Sequence, residues 1–278
     1  SEQDLYEMDA ASNRGIDEIR ELREGVSTLP FESKYKFYII DEAHALTRDA
    51  WGALLKTLEE PPSHVVFVLA TTELDRVPET IQSRCQVFQF KKPIHEVLKR
   101  LVMDVAKKEG ASIDAAGAEL VAIMGEGSFR DTLSILQKVL TVSSDKKLSE
   151  EEVGKVVGAP PTTLIRSFLK SLADRNIEGA LKALQESVEA GAEPRVFILL
   201  AISKVRGVLL LRYARKLESS LMEQFRSDDL QLLKELAGAR GAAINSTVLA
   251  ELLTAYIETN RAPNPAVPLE LALYRLFG

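Results

Sequence analysis

The sequence predicts an α/β unit followed by all-helical units. Over the first ninety residues short apolar runs alternate with stretches of helical spacing, the pattern of parallel strands joined by crossover helices. After Lys91-Lys92-Pro93 the strand signal disappears and the remaining chain reads as helix. Hydrophobic residues make up 46% and charged residues 27% of 278 residues, a balance that builds packed cores rather than disorder.

Taken in order, Leu5 to Met8 is the first strand, and IDEIRELREGV after it has its apolar residues on one helical face. Phe37 to Ile40 is the second strand. The segment DAWGALLKTLEE forms the next helix and stops at Pro61-Pro62, which cannot continue it. Val65 to Ala70 is the third strand, Pro78 starts a short helix, and Val87 to Phe90 is the fourth strand candidate. Downstream, helices run from about Ile94 to Val142, the last opened by the capping-box pattern Ser128-Phe-Arg-Asp131. The polar stretch SSDKKLSEEE then leads to a boundary at Gly158 to Pro161, and a further helical unit continues to Phe277. Within it the run from Val196 to Tyr213 is apolar on more than one face, as expected of a helix packed both inside its domain and against a neighbour.

A formal charge of -6 excludes nucleic-acid binding by bulk positive charge and leaves only focal contacts. One cysteine, Cys85, provides neither an internal disulfide nor a cysteine-based zinc site, so no zinc is expected in this chain and a reducing cytoplasm fits. The most apolar run is interrupted by Lys204 and Arg206 and no leader opens the sequence, so no membrane role is expected. The chain begins Ser-Glu-Gln-Asp without methionine and reads as a fragment.

The stretch KFYIIDEAHAL ends an apolar strand in two carboxylates, Asp41 and Glu42. Such a pair suits phosphoryl transfer, one group reaching a magnesium shell and the other the attacking water, while an acidic turn after a core strand reads equally well. VVFVLATTEL ends in Thr71-Thr72, hydroxyls for a γ-phosphate or water, or simply a turn. Arg84 in QSRCQ is either a guanidinium aimed at a phosphate or a surface arginine. Arg130 lies in a helix's first turn, where the dipole disfavours a cation unless an anion is near; Asp131 or a bound triphosphate would serve. Arg14 and Arg48 fall at helix starts, which suit nucleic-acid phosphates, although solvated arginines are the simpler reading. Cys85 reads as a small apolar residue, and His44, His64 and His95 have no metal-ligand spacing. No stretch fits GxxxxGK followed by Ser or Thr, so the phosphate cradle is absent from these residues.

Together DAASNRGIDEIREL, IIDEAHAL, LLKTLEEPP, LATT, IQSRC and GSFRDTLS, in this order, resemble the gamma/tau family of bacterial DNA polymerase III clamp-loader subunits, which are AAA+ ATPases. The resemblance covers the whole chain. It implies the C-terminal part of an AAA+ core at 1–91, lacking the P-loop, a helical lid at 92–154 and a helical collar for oligomerisation at 155–278. It makes Asp41 and Glu42 the Walker B pair, with Asp41 holding Mg2+ through water, Thr72 sensor 1, Arg130 a nucleotide-facing sensor 2, and Arg84 an arginine finger acting in trans. Arg14 and Arg48 fall in DNA-facing segments. ATP and Mg2+ are the implied cofactors; the other loader subunits, the sliding clamp and primed DNA are the implied partners. The implied function is loading the clamp onto primed DNA in replication. A non-hydrolysing scaffold of the same assembly is the alternative, disfavoured because Asp41, Glu42, Thr72 and Arg130 are all present. A DExH-type helicase fragment fits less well, since no second RecA-like domain follows.

Overall fold

The structure, a computed structural model, describes residues 2–143, 145–214, 225, 227–239 and 243–278. The chain divides into two compact units between Phe90 and Lys91.

The first unit is built on a three-stranded parallel sheet, β1 (Leu5–Asp9), β2 (Lys36–Asp41) and β3 (Val65–Leu69), with β2 in the centre. The register sets Asp9 opposite Asp41 and Ile40 opposite Leu69, so the strands' C-terminal tips lie side by side. Helices α1 (Ile16–Val26) and α2 (Arg48–Glu59) are the crossovers, and α3 (Glu79–Gln82) is a single turn begun at Pro78. Ile19, Ile40, Leu54 and Ile81 are fully enclosed in one core, with Trp51 almost so. On the same face of the sheet, nearer the N-terminal ends of the strands, Tyr6, Tyr38 and Phe67 stack with ring centroids 5.0 and 5.5 Å apart.

Two buried charges fix the end of this unit opposite the strand tips. Lys36 donates to the carbonyl of Gly25 at 2.8 Å and to Thr28 Oγ1 at 2.7 Å, and its ammonium lies 4.9 Å from the Tyr6 ring centroid. A cation at the C-terminal end of α1 meets the negative end of the helix dipole. Asp4 accepts three backbone N–H groups, from Phe31, Glu32 and Ser33, at 2.5, 3.0 and 2.8 Å. Those bonds hold its carboxyl far below the ordinary carboxylate range.

The fourth strand expected at Val87 to Phe90 does not form. The segment has no regular secondary structure, no strand pairs with it among the described residues, and Phe88 and Phe90 stand exposed. Alternating apolar residues specify a strand only where a ladder partner exists.

The second unit begins with α4 (His95–Lys108), α5 (Ala115–Met124), α6 (Phe129–Val142) and α7 (Glu150–Val157). It is not wholly helical: β4 (Ser112–Ile113) and β5 (Lys147–Leu148) form a short parallel pair. The polar SSDKKLSEEE stretch thus carries a strand and a helix start, in which Ser149 and Glu152 close a full capping box. The box expected at Ser128 is one-sided, Ser128 Oγ accepting from Asp131 N–H at 3.2 Å. Helices α8 (Thr162–Ala173), α9 (Ile177–Glu189), α10 (Pro194–Tyr213), α11 (Ser227–Gly238), α12 (Ser246–Thr259) and α13 (Val267–Phe277) share one core, with Phe197 edge-on to Phe168 and α10 packed on α8, α9, α11 and α12. Within it Asp229 is buried between Arg166 Nε at 2.8 Å and Lys204 Nζ at 2.5 Å.

Candidate nucleotide site and its arginines

The strand tips bring Asp41, Glu42 and Thr72 together. Asp41 ends β2 with its carboxylate open to solvent; one oxygen accepts the Glu42 N–H at 2.9 Å. Glu42 is left-handed, φ 47° and ψ 42°, a conformation that turns the chain sharply out of the strand. Ala43 N–H then bonds to Ala70 O at 2.9 Å, tying this turn to the end of β3. Thr72 Oγ1, just beyond β3, donates to Glu42 Oε2 at 3.2 Å.

Sequence reading missed three groups here. His44 sits against the same carboxylate, its Nδ1 3.3 Å from Glu42 Oε2 and 3.0 Å from Thr71 Oγ1, while Nε2 lies 3.3 Å from Glu73 Oε1. Its place in the DEAH run was the available signal. Asp9, at the tip of β1, accepts from Ala11 N–H at 2.7 Å and Ser12 Oγ at 2.9 Å, and these bonds lower its pKa. The third is Glu59, described below. The chemistry on offer is one open carboxylate and a second carboxylate restrained by a threonine and a histidine.

Among the described residues no cluster of three or more His, Cys, Asp or Glu side chains forms a metal cage. That donor set still fits Mg2+, which keeps several waters and takes one or two carboxylates together with substrate phosphates. Cys85 packs against the core, and burial pushes its thiol up.

The arginines fall into three places. Arg84, after α3, donates to Glu59 Oε1 at 2.8 Å and to Thr80 O at 2.7 Å. It is thus engaged at the end of α2, in the LLKTLEEPP run, rather than with Asp41 and Glu42. The backbone segments of Arg14 and Arg48 are joined: Thr47 N–H donates to Arg14 O at 3.2 Å, and Arg48 opens α2 directly after its N-cap Thr47. Arg14 Nε is itself held on Ala11 O at 2.7 Å, in the turn that Asp9 organises. Arg130, in the second unit, is exposed in the first turn of α6 with no hydrogen bond or ion pair to its guanidinium among the described residues, Asp131 included.

Two family models match the chain. One, described as DNA polymerase III, delta subunit, matches residues 2–94; the other, described as DNA polymerase III subunits gamma and tau domain III, matches residues 148–278. The DNA polymerase III subunit tau of Bacillus subtilis is 36% identical over 98% of this chain and 48% of the relative. The subunit gamma/tau of Mycobacterium tuberculosis is 32% identical over 98% and 47%, and that of Mycoplasma genitalium 40% identical over 70% and 33%. The chain spans about half the length, or less, of these relatives. Among solved structures, a Bacillus subtilis DNA clamp loader delta protein has a TM-score of 0.42 at 17% identity, covering 99% of this chain and 86% of its own. A Thermotoga maritima RuvB mutant has a TM-score of 0.48 at 18% identity, covering 62% and 61%. At these scores the two likenesses add nothing to the family matches.

Proposed function

This chain belongs to the gamma and tau subunit family of DNA polymerase III, and on that premise we propose that it carries the hydrolytic and assembly parts of an AAA+ clamp-loader ATPase that places the sliding clamp on primed DNA. One observation carries the reading: Thr72 reaches Glu42 across adjacent strand tips, beside the open carboxylate of Asp41. An acidic turn with no further task has no need of a hydroxyl holding its second carboxylate.

In this reading the phosphates are cradled by residues outside these 278. Asp41 would hold Mg2+ through water, and the ion would supply charge neutralisation at the phosphates. Glu42 orients and deprotonates the attacking water, and Thr72 and His44 set the direction of its carboxylate. Arg130 pairs with the phosphates of its own chain's nucleotide, and Arg84 leaves Glu59 to reach the nucleotide of a neighbouring subunit. Arg14 and Arg48, beside the N-termini of α1 and α2, take DNA phosphates.

The second unit joins subunits. Leu253 and Ile257 on α12, with Leu271 and Tyr274 on α13, are exposed apolar side chains suited to a subunit contact. The lid (92–154) and collar (155–278) assignments belong to this proposal.

The test is Glu42→Gln in the loader assembled from the complete protein. Turnover stimulated by clamp and primed DNA falls by about 10² or more, with nucleotide affinity retained. Turnover close to wild type overturns the reading.

A further inference from the structure

Glu126 stands in the Gly125-Glu126-Gly127-Ser128 turn that leads into α6, with φ 47°. A side-chain-bearing residue adopts that left-handed conformation only where its surroundings impose it. Here the surroundings are distant in sequence. Glu126 Oε1 accepts from Arg195 Nη2 at 3.2 Å and from the hydroxyl of Tyr256. Arg195, in the first turn of α10, also donates to Asn260 Oδ1 at 2.7 Å and to Tyr256 Oη at 2.5 Å, with its guanidinium carbon 4.0 Å from the centroid of the Tyr256 ring. Two helices of the second core therefore hold one side chain of the turn.

The grip extends to what the turn carries. Ser128 N–H donates to Gly125 O at 2.7 Å, and Ser128 caps the helix whose first turn holds Arg130. Thr132, one turn into α6, donates to Ser128 O at 2.6 Å and lies so close to Gly125 that a Cβ there would sit 1.9 Å from its hydroxyl oxygen. Residues 125–132 thus form a tight local piece, and its orientation sets the direction of Arg130. Burial and the neighbouring Glu126 carboxylate push the Tyr256 hydroxyl well up, so it stays a donor at neutral pH.

We propose that Arg195 and Tyr256 are positioning residues for Arg130: by fixing Glu126 they set the start of α6 and present the Arg130 guanidinium to nucleotide phosphate. The inference rests on Arg130 as a phosphate-binding residue of the proposed ATPase. It gives the collar a route to the nucleotide, because any shift of α10 against α12 redirects Arg130 and changes affinity.

Affinity for a fluorescent, non-hydrolysable ATP analogue, measured in the loader assembled from the complete protein, tests this. Arg130→Ala weakens binding by about tenfold or more, and Arg195→Ala and Tyr256→Phe each weaken it roughly threefold or more. Added to Arg130→Ala, either change costs less than about twofold further. Independent, multiplying losses mark a merely structural contact and overturn the proposal. So does unchanged affinity in both Arg195→Ala and Tyr256→Phe when Arg130→Ala is impaired. Should Arg130→Ala itself bind normally, the phosphate role of Arg130 fails and the proposal falls with it. Tyr256→Phe keeps the ring over Arg195, so it remains informative where Arg195→Ala does not fold.

Discussion

Thr72 and Glu42, thirty residues apart, join the tips of two adjacent parallel strands through one hydrogen bond of 3.2 Å from hydroxyl to carboxylate. A bond that only restrains a carboxylate has a smaller effect on turnover than the carboxylate itself. Thr72→Val is therefore expected to lower turnover of the assembled loader by roughly tenfold, the worth of one hydrogen bond to a charged group. Nucleotide affinity and thermal stability stay near wild type. A loss equal to that of Glu42→Gln would mean that Thr72 touches the reacting atoms directly.

The buried Asp229 gives a stability prediction. Burial alone would raise its carboxyl, but Lys204 and Arg166 overcome that and leave it below the usual range. Replacing it with alanine strands Lys204, leaves Arg166 with the more distant Asp228 at 3.9 Å, and costs about 3 kcal/mol, read by denaturant unfolding. Adding Lys204→Met recovers part of that loss. Additive losses in the double variant would contradict the coupling.

Asp4 predicts an acid limb of the stability curve. Its folded pKa is depressed, so its contribution is complete above the unfolded value of about 3.9 and is lost as pH falls through the folded value. Thermal melts of Asp4→Asn should show a deficit at neutral pH that narrows below about pH 4. A deficit independent of pH would assign the effect to packing.

Gly125→Ala places a methyl group against Thr132 at a site with no room for it. Overpacking of this kind costs about 1–3 kcal/mol. Thr132→Ala in the same chain removes the 1.9 Å approach to the hydroxyl oxygen, leaving the 2.9 Å approach to the Cβ of residue 132, and restores part of the loss despite the missing bond to Ser128 O. No recovery in the double variant would place the cost elsewhere.

What the sequence made legible were features with short-range signatures. Helical spacing placed α1 and α2, and apolar runs ending in Asp41-Glu42 and Thr71-Thr72 placed two neighbouring tips. The bond from Thr72 to Glu42 required the register of β2 against β3, which no local pattern encodes. Val87 to Phe90 has the composition of a strand, but pairing depends on a partner and not on composition. Lys147–Leu148 was hidden for the opposite reason: two residues in a polar stretch show no period, yet they pair with Ser112–Ile113. Glu126, Arg195 and Tyr256 meet across up to 130 residues, and each alone looks like an ordinary surface side chain. Asp9 was closer to legible, since an Asp followed three residues on by Ser is a common turn pattern.

In the proposed ATPase Glu42 serves its own subunit's nucleotide while Arg84, resting on Glu59 at 2.8 Å, serves a neighbour's. Breaking that half-exposed ion pair alters stability by about 1 kcal/mol or less, whereas removing an arginine finger costs on the order of 10³ in turnover. The deciding measurement is the clamp- and DNA-stimulated ATPase of loaders assembled with the complete protein, wild type against Arg84→Ala, with assembly and nucleotide affinity verified. The expected result is a fall of about 10³ with the mutated subunit's own nucleotide still bound. Turnover near wild type would contradict the claim and leave Arg84 a surface arginine paired with Glu59.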